Sequence, residues 1–113
     1  METIKKVYAE DIQYIQTHLP EHRIYEQLAE ECCELAQAAL KMSRYLQRRD
    51  RVGLAKDDIE AKLDEEITDV FLCLDTLKLP PKVDMKIAGY KANRWRTRIE
   101  DMTAGYEEAY SNE

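Results

Sequence analysis

The sequence predicts an all-α protein arranged as a four-helix-type bundle, and three observations predict it. Helix breakers are scarce, with 3 glycines and 3 prolines in 113 residues, while the helix formers Ala, Leu, Glu, Lys and Gln abound. Apolar residues recur at three- and four-residue steps through most of the chain, the period of an amphipathic helix. The interruptions of that period fall at Pro20, Gly53 and Pro80-Pro81, where helices end. A chain of this length fits one domain, residues 1–113, with a modest core.

Taken in order, residues 1–7 read as a loose start. Tyr8, Ile12, Ile15 and Leu19 then mark a short first helix. It ends at Leu19-Pro20, because the residue before proline avoids the helical region. His18 and His22 flank this proline; a four-residue spacing makes a metal pair only on an unbroken helix, so they read as solvated turn histidines. The second helix, about 21–47, carries Ile24, Leu28, Leu35, Ala38, Met42 and Tyr45 as one stripe. Ala29, Cys33, Ala36 and Leu40 form a second apolar face. A helix apolar on two faces is buried on two sides, which in so short a chain points to a second subunit, in a homodimer or homotetramer. Residues 48–57 read as a loop around Gly53, with Asp57 or Asp58 capping the next helix and Arg48, Arg49, Arg51 and Lys56 in solvent. The third helix, about 58–79, presents Ile59, Leu63, Val70, Cys73 and Leu77 and stops at Pro80-Pro81. The fourth, about 82–102, presents Ala88, Trp95, Ile99 and Met102, with Lys91 in the slot between Ala88 and Trp95, and Arg94 and Arg98 beside it. The polar tail, 103–113, reads as frayed.

Two positions contradict the pattern. In the second helix the slot between Leu28 and Leu35 holds Glu31; in the third, the slot between Leu63 and Val70 holds Glu66. Glu34 and Asp69 follow each by three residues, and residues at i and i+3 are neighbours on a helix surface. Each helix therefore carries a two-carboxylate claw with one member facing the core. A buried carboxylate must be protonated, paired or metal-bound. Four carboxylates without a matching buried base suit a hard divalent cation, Mg²⁺ or Mn²⁺. Other site chemistries lack their parts. Neither claw has the histidine of a Glu-x-x-His di-iron motif. There is no glycine-centred calcium loop, no glycine-rich phosphate loop, and no histidine near a serine or cysteine nucleophile.

Composition narrows the function further. A net charge of −6 argues against non-specific nucleic-acid binding, which needs a basic face. No apolar run is long enough to span a bilayer and the first residues lack a signal-peptide core, so the expected location is the cytoplasm. The 3 cysteines, two of them adjacent, read as reduced thiols filling small core positions. Tyr14, Tyr25 and Trp95 read as core aromatics before base-stacking ones.

These residues carry a resemblance. Leu28-Ala29-Glu30-Glu31-Cys32-Cys33-Glu34-Leu35 resembles the Glu-Glu-x-x-Glu motif of the all-α nucleoside triphosphate pyrophosphohydrolases, and Glu66-Ile67-Thr68-Asp69 resembles their Glu-x-x-Asp motif. Tyr90-Lys91-Ala92-Asn93-Arg94-Trp95 resembles the basic segment on the last helix of the MazG-like members. The similarity covers roughly residues 24–99, with a longer interval between Glu34 and Glu66 than compact MazG-like domains have. The resemblance implies that Glu31, Glu34, Glu66 and Asp69 ligate Mg²⁺. It implies hydrolysis of a nucleoside triphosphate between its α- and β-phosphates, releasing pyrophosphate. Glu30 or Glu65, beside the ligands, would orient or deprotonate water; Lys91 and Arg94 would bind phosphate oxygens and Asn93 sugar or phosphate. A nucleotide- or metal-binding bundle without turnover, acting as a regulatory or interaction protein, is the alternative.

Overall fold

The computed structural model describes residues 1–47 and 55–111. Four helices account for nearly all of them: α1 (Glu2–His18), α2 (Glu21–Leu46), α3 (Lys56–Thr76) and α4 (Met85–Ser111). No strand occurs among the described residues, so the protein is all-α. No helix is long and apolar enough among them to cross a membrane. The chain divides into two compact units, residues 1–80 and 81–113.

In the first unit α3 packs along α2 and, less extensively, against α1. The two stripes meet as their spacing requires. From α2, Ile24 and Ala38 are buried and Leu28, Leu35, Met42 and Tyr45 half-buried; from α3, Ile59, Cys73 and Leu77 are buried and Leu63 and Val70 half-buried. Glu34 lies beside Glu66, while Ala38 and Lys41 lie beside Asp58 and Ile59. The two helices therefore run antiparallel. The α1 stripe is shallower: Ile12 and Ile15 are half-buried, and the Tyr8 hydroxyl donates to Asp75 Oδ2 at 2.7 Å. That bond holds α1 to α3 and pushes the Tyr8 phenol up to about 12, the hydrogen bond contributing more than burial or the Asp75 charge.

Helix ends depart from the sequence expectations in five places. α1 begins at Glu2, not near Tyr8, because residues 2–7 contain no breaker and Glu2 sits favourably in the first turn against the helix dipole. α3 begins at Lys56 with Ala55 as an uncapped boundary residue; Asp57 and Asp58 lie inside the first turn and complement the dipole without capping. The same helix ends at Thr76 and not at Leu79. Leu77 turns extended, with φ −67° and ψ 140°, and is the most completely buried large side chain, 1 % exposed. Leu77 is thus buried from an extended backbone just past the helix end, three residues before Pro80. α4 starts at Met85, where Asp84 Oδ1 accepts from the Lys86 and Ile87 backbone N–H groups at 3.0 and 3.2 Å, an N-cap the sequence reading missed. α4 also continues through Ser111, so the stretch expected to fray is helical; Glu and Ala in Glu107-Glu108-Ala109 favour that extension.

Further expectations change at the surface. Cys73 is a core residue, but Cys32 and Cys33 are exposed and all three thiols are free. The α2 face of Ala29, Cys33, Ala36 and Leu40 is exposed throughout. Trp95, Ile99 and Met102 of α4 are exposed as well, Trp95 by 67 %, as are Tyr14 and Tyr25. His18 stacks on Tyr14 at 3.9 Å and its Nδ1 hydrogen-bonds the Tyr14 carbonyl at 2.8 Å, so a local contact occupies it. The expected basic loop residues Arg48, Arg49 and Arg51 lie outside the described residues, while Lys56 pairs with Glu60 at 3.7 Å.

Candidate metal centre

Helical periodicity places Glu31 and Glu66 in the interface between α2 and α3, and the antiparallel register brings them to the same level. One carboxylate oxygen from each of Glu31, Glu34, Glu66 and Asp69 lies within 4.8 Å of all the others. Glu66 is 3 % exposed; Glu31 and Asp69 are half-buried and Glu34 is exposed at the mouth. The four acids singled out in the sequence are thus one cluster, drawn from two helices.

The two inward acids are held alike. Gln27 Nε2 donates to Glu31 Oε1 at 2.8 Å, and Lys62 Nζ pairs with Glu66 Oε1 at 2.9 Å. Gln27 and Lys62 each stand one helical turn before the acid they hold, the i, i+4 relation that lets side chains meet. In both carboxylates the other oxygen is left over. Glu31 Oε2 and Glu66 Oε2 are buried and have no hydrogen-bond partner among the described residues. A buried acceptor without a donor is costly, and these two belong to the carboxylates that converge.

The charges strain one another. Glu34 is raised above its usual carboxylate range, first by the Glu31 charge and then by that of Glu66. The Cys73 thiol is pushed up by burial, then by Glu31 and Asp69. The Lys62 ammonium is held up by its bond to Glu66, with Glu65 and Glu66 charges adding. Among the described residues Lys62 is the one cation within ion-pair distance of the four acids. The donor set fits a divalent cation on three counts: all-oxygen ligands, excess negative charge, and two buried oxygens lacking donors. The cluster can therefore hold a metal ion, and hard oxygen-preferring ions suit it best.

Comparison with family models, with characterised proteins and with solved structures gives no match.

Of the other expected site residues, Glu30 and Glu65 belong to the first unit and Lys91, Asn93 and Arg94 to the second. Glu30 is exposed on α2, and Glu65 is exposed and 3.8 Å from Lys62. Lys91, Asn93 and Arg94 are exposed on α4, within the second unit. There the Arg94 guanidinium lies 5.9 Å from the centroid of the Tyr90 ring, within cation–π range. Sequence reasoning missed Gln27 and Lys62. Their signal was present: a polar side chain four residues before each acid that interrupts an apolar stripe.

Proposed function

We propose that the protein is a Mg²⁺-dependent nucleotide pyrophosphohydrolase, MazG-like in its site, that cleaves nucleoside triphosphates to the monophosphate and pyrophosphate. One observation carries the reading: two core-facing glutamates with donorless oxygens converge with two further carboxylates within 4.8 Å. Mn²⁺ has the same ligand preference and is the natural substitute. When bound, such an ion supplies positive charge against phosphate oxygens and a site for water. Glu31, Glu34, Glu66 and Asp69 are its ligands. Gln27 and Lys62 hold the Oε1 atoms of Glu31 and Glu66 and leave their buried Oε2 atoms without a donor among the described residues; such supporting contacts govern ligand orientation. Glu30 and Glu65 are the proton acceptors nearest in sequence to the ligands. Lys91 and Arg94 are assigned to phosphate and Asn93 to sugar or phosphate. This division of labour fits phosphoryl chemistry, in which positioning and electrostatics carry most of the catalysis.

The exposed second face of α2 supports a homo-oligomer, since contiguous exposed apolar surface marks an interaction site. The expected setting is the cytoplasm.

The deciding experiment incubates the protein with a panel of nucleoside triphosphates and Mg²⁺ and measures pyrophosphate and orthophosphate separately. Pyrophosphate release that falls at least about 100-fold in Glu31→Gln and Glu66→Gln, with helicity retained, is the expected result. Nucleotide binding without release would select the non-catalytic alternative, and release equal to wild type in both variants would refute the site.

A further inference from the structure

Each claw begins one turn before its acids. Gln27, Glu31 and Glu34 on α2 and Lys62, Glu66 and Asp69 on α3 follow the same four- and three-residue steps, which keep to one face of a helix. The contacts repeat with the spacing. The first residue holds Oε1 of the inward glutamate, at 2.8 Å from Gln27 and 2.9 Å from Lys62, and Oε2 is buried without a donor among the described residues. The two holders differ in one respect: Gln27 is neutral and Lys62 carries a positive charge.

Holding Glu66 in place does not need that charge, because a neutral amide holds Glu31 in the same relation. The charge has its own surroundings. Besides Glu66, Lys62 has Glu65 at 3.8 Å. Glu34 lines one open groove with it, together with Lys41 and Arg44, and Asp58 shares a small cavity with it and Lys41. Without metal, the ammonium offsets part of the negative charge that converges at the cluster. With a divalent cation at Glu66 Oε2, the ammonium on Oε1 faces a like charge across a single carboxylate, and the two repel. The side chains are unequally free to respond: that of Glu66 is 4 % exposed and that of Lys62 is 56 % exposed. The lysine is the member that can swing away on its flexible stem, and exposed Glu65 is at hand to receive it.

We propose that Lys62 is the built-in counter-ion of the carboxylate cluster: it stabilises the cluster without metal and competes with the divalent cation for Glu66. This one charge then sets the metal concentration at which the centre fills. The inference rests on the proposed metal centre and adds its regulation.

The test separates the charge from the contact. Lys62→Gln keeps a side chain that can hold Glu66 as Gln27 holds Glu31, and removes the charge; Lys62→Arg keeps the charge. Lys56→Gln removes an equal charge from the pair with Glu60 and controls for the change in net charge. Mn²⁺ binding to the full chain is followed by electron paramagnetic resonance at low salt, and thermal melts are recorded in chelator by circular dichroism. Lys62→Gln should bind Mn²⁺ about tenfold more tightly than the wild type, the effect of removing one unit charge facing a divalent ion. It should also melt at a lower temperature in chelator. Lys62→Arg and Lys56→Gln should keep the wild-type Mn²⁺ affinity. A residue that only braced the helix would not strengthen metal binding while lowering the metal-free melt. Three results each overturn the counter-ion while leaving the metal centre standing: Mn²⁺ affinity unchanged or weaker in Lys62→Gln, a chelator melt no lower than that of the wild type, or an equal gain in Lys56→Gln. If the wild type binds no Mn²⁺, binding by Lys62→Gln alone supports the competition, and absence of binding in both overturns the inference and the metal centre together.

Discussion

Replacing Glu66 by Gln should have opposite effects on stability with and without metal. At the greatest separation in the cluster, 4.8 Å, two like charges repel by about 0.9 kcal/mol in bulk water and about 3.5 kcal/mol at an effective dielectric of 20. Glu66 faces Glu31 and Glu34 at that distance or less. Against this stands its pair with Lys62 at 2.9 Å; the lysine side chain is 56 % exposed, so solvent screening leaves that pair weak. The glutamine amide can also donate to the neighbouring carboxylates. The metal-free variant should therefore be more stable than the wild type by about 1–3 kcal/mol. With Mg²⁺ at 100 times its dissociation constant, the wild type gains about 2.7 kcal/mol, a rise of about 10 °C in melting temperature for a chain of this size, and the variant gains little. Thermal melts followed by circular dichroism, in chelator and across a Mg²⁺ series, should show the two curves cross. A metal-free variant less stable than the wild type, together with equal Mg²⁺ responses, would refute the argument that the buried acid is tolerated for a cation.

Glu34 gives a pH dependence of definite sign. Its folded-state value is raised, so the folded chain holds this proton more tightly than the unfolded chain. Its contribution to metal-free stability is therefore greatest at low pH and is lost as pH rises through the raised value. The difference in melting temperature between the wild type and Glu34→Gln should narrow on acidification toward the ordinary glutamate range, and Mn²⁺ affinity of the wild type should fall over the same interval as protons compete. Tyr8 acts at the other end of the scale. Its hydroxyl donates to Asp75, so the stabilisation is complete below the unfolded value of 10.0 and is lost as pH rises through about 12. Tyr8→Phe should cost about 0.5–1 kcal/mol in urea unfolding near neutrality and should lose its disadvantage in strongly alkaline solution; a constant difference would remove the bond's role. Leu77→Ala should cost about 2–5 kcal/mol, read as a lower urea midpoint at unchanged slope, because Leu77 is 1 % exposed. A cost below about 1 kcal/mol would show that the α3 terminus is not anchored there.

Much of this molecule was legible in its chain. The α2 and α3 stripes are buried or half-buried at the positions the spacing assigns, and Glu31 and Glu66 occupy the slots that mark them as inward acids. That success has a local cause: the face a side chain takes depends only on 3.6 residues per turn, which the sequence states directly. Helix ends were less legible. Leu77 leaves α3 for an extended backbone with no breaker before it, and Asp84 caps α4 through side-chain bonds to the Lys86 and Ile87 N–H groups. The exposed Cys32 and Cys33 could not be placed either, since small residues suit a core and an interface equally.

What the residues determined alone was the set of faces and the presence of acids on the wrong ones. What the tertiary structure decided was convergence. Whether Glu31-Glu34 meets Glu66-Asp69 depends on the antiparallel register of α2 against α3, and that register is set by how Ile24, Ala38, Ile59, Cys73 and Leu77 pack together. The same packing buries the second oxygens of Glu31 and Glu66 away from any donor among the described residues, and brings Lys41 and Arg44 of α2 to one groove with Lys62 of α3. Such relations join residues about thirty positions apart, and only the free energy of burying the apolar stripes brings them within reach.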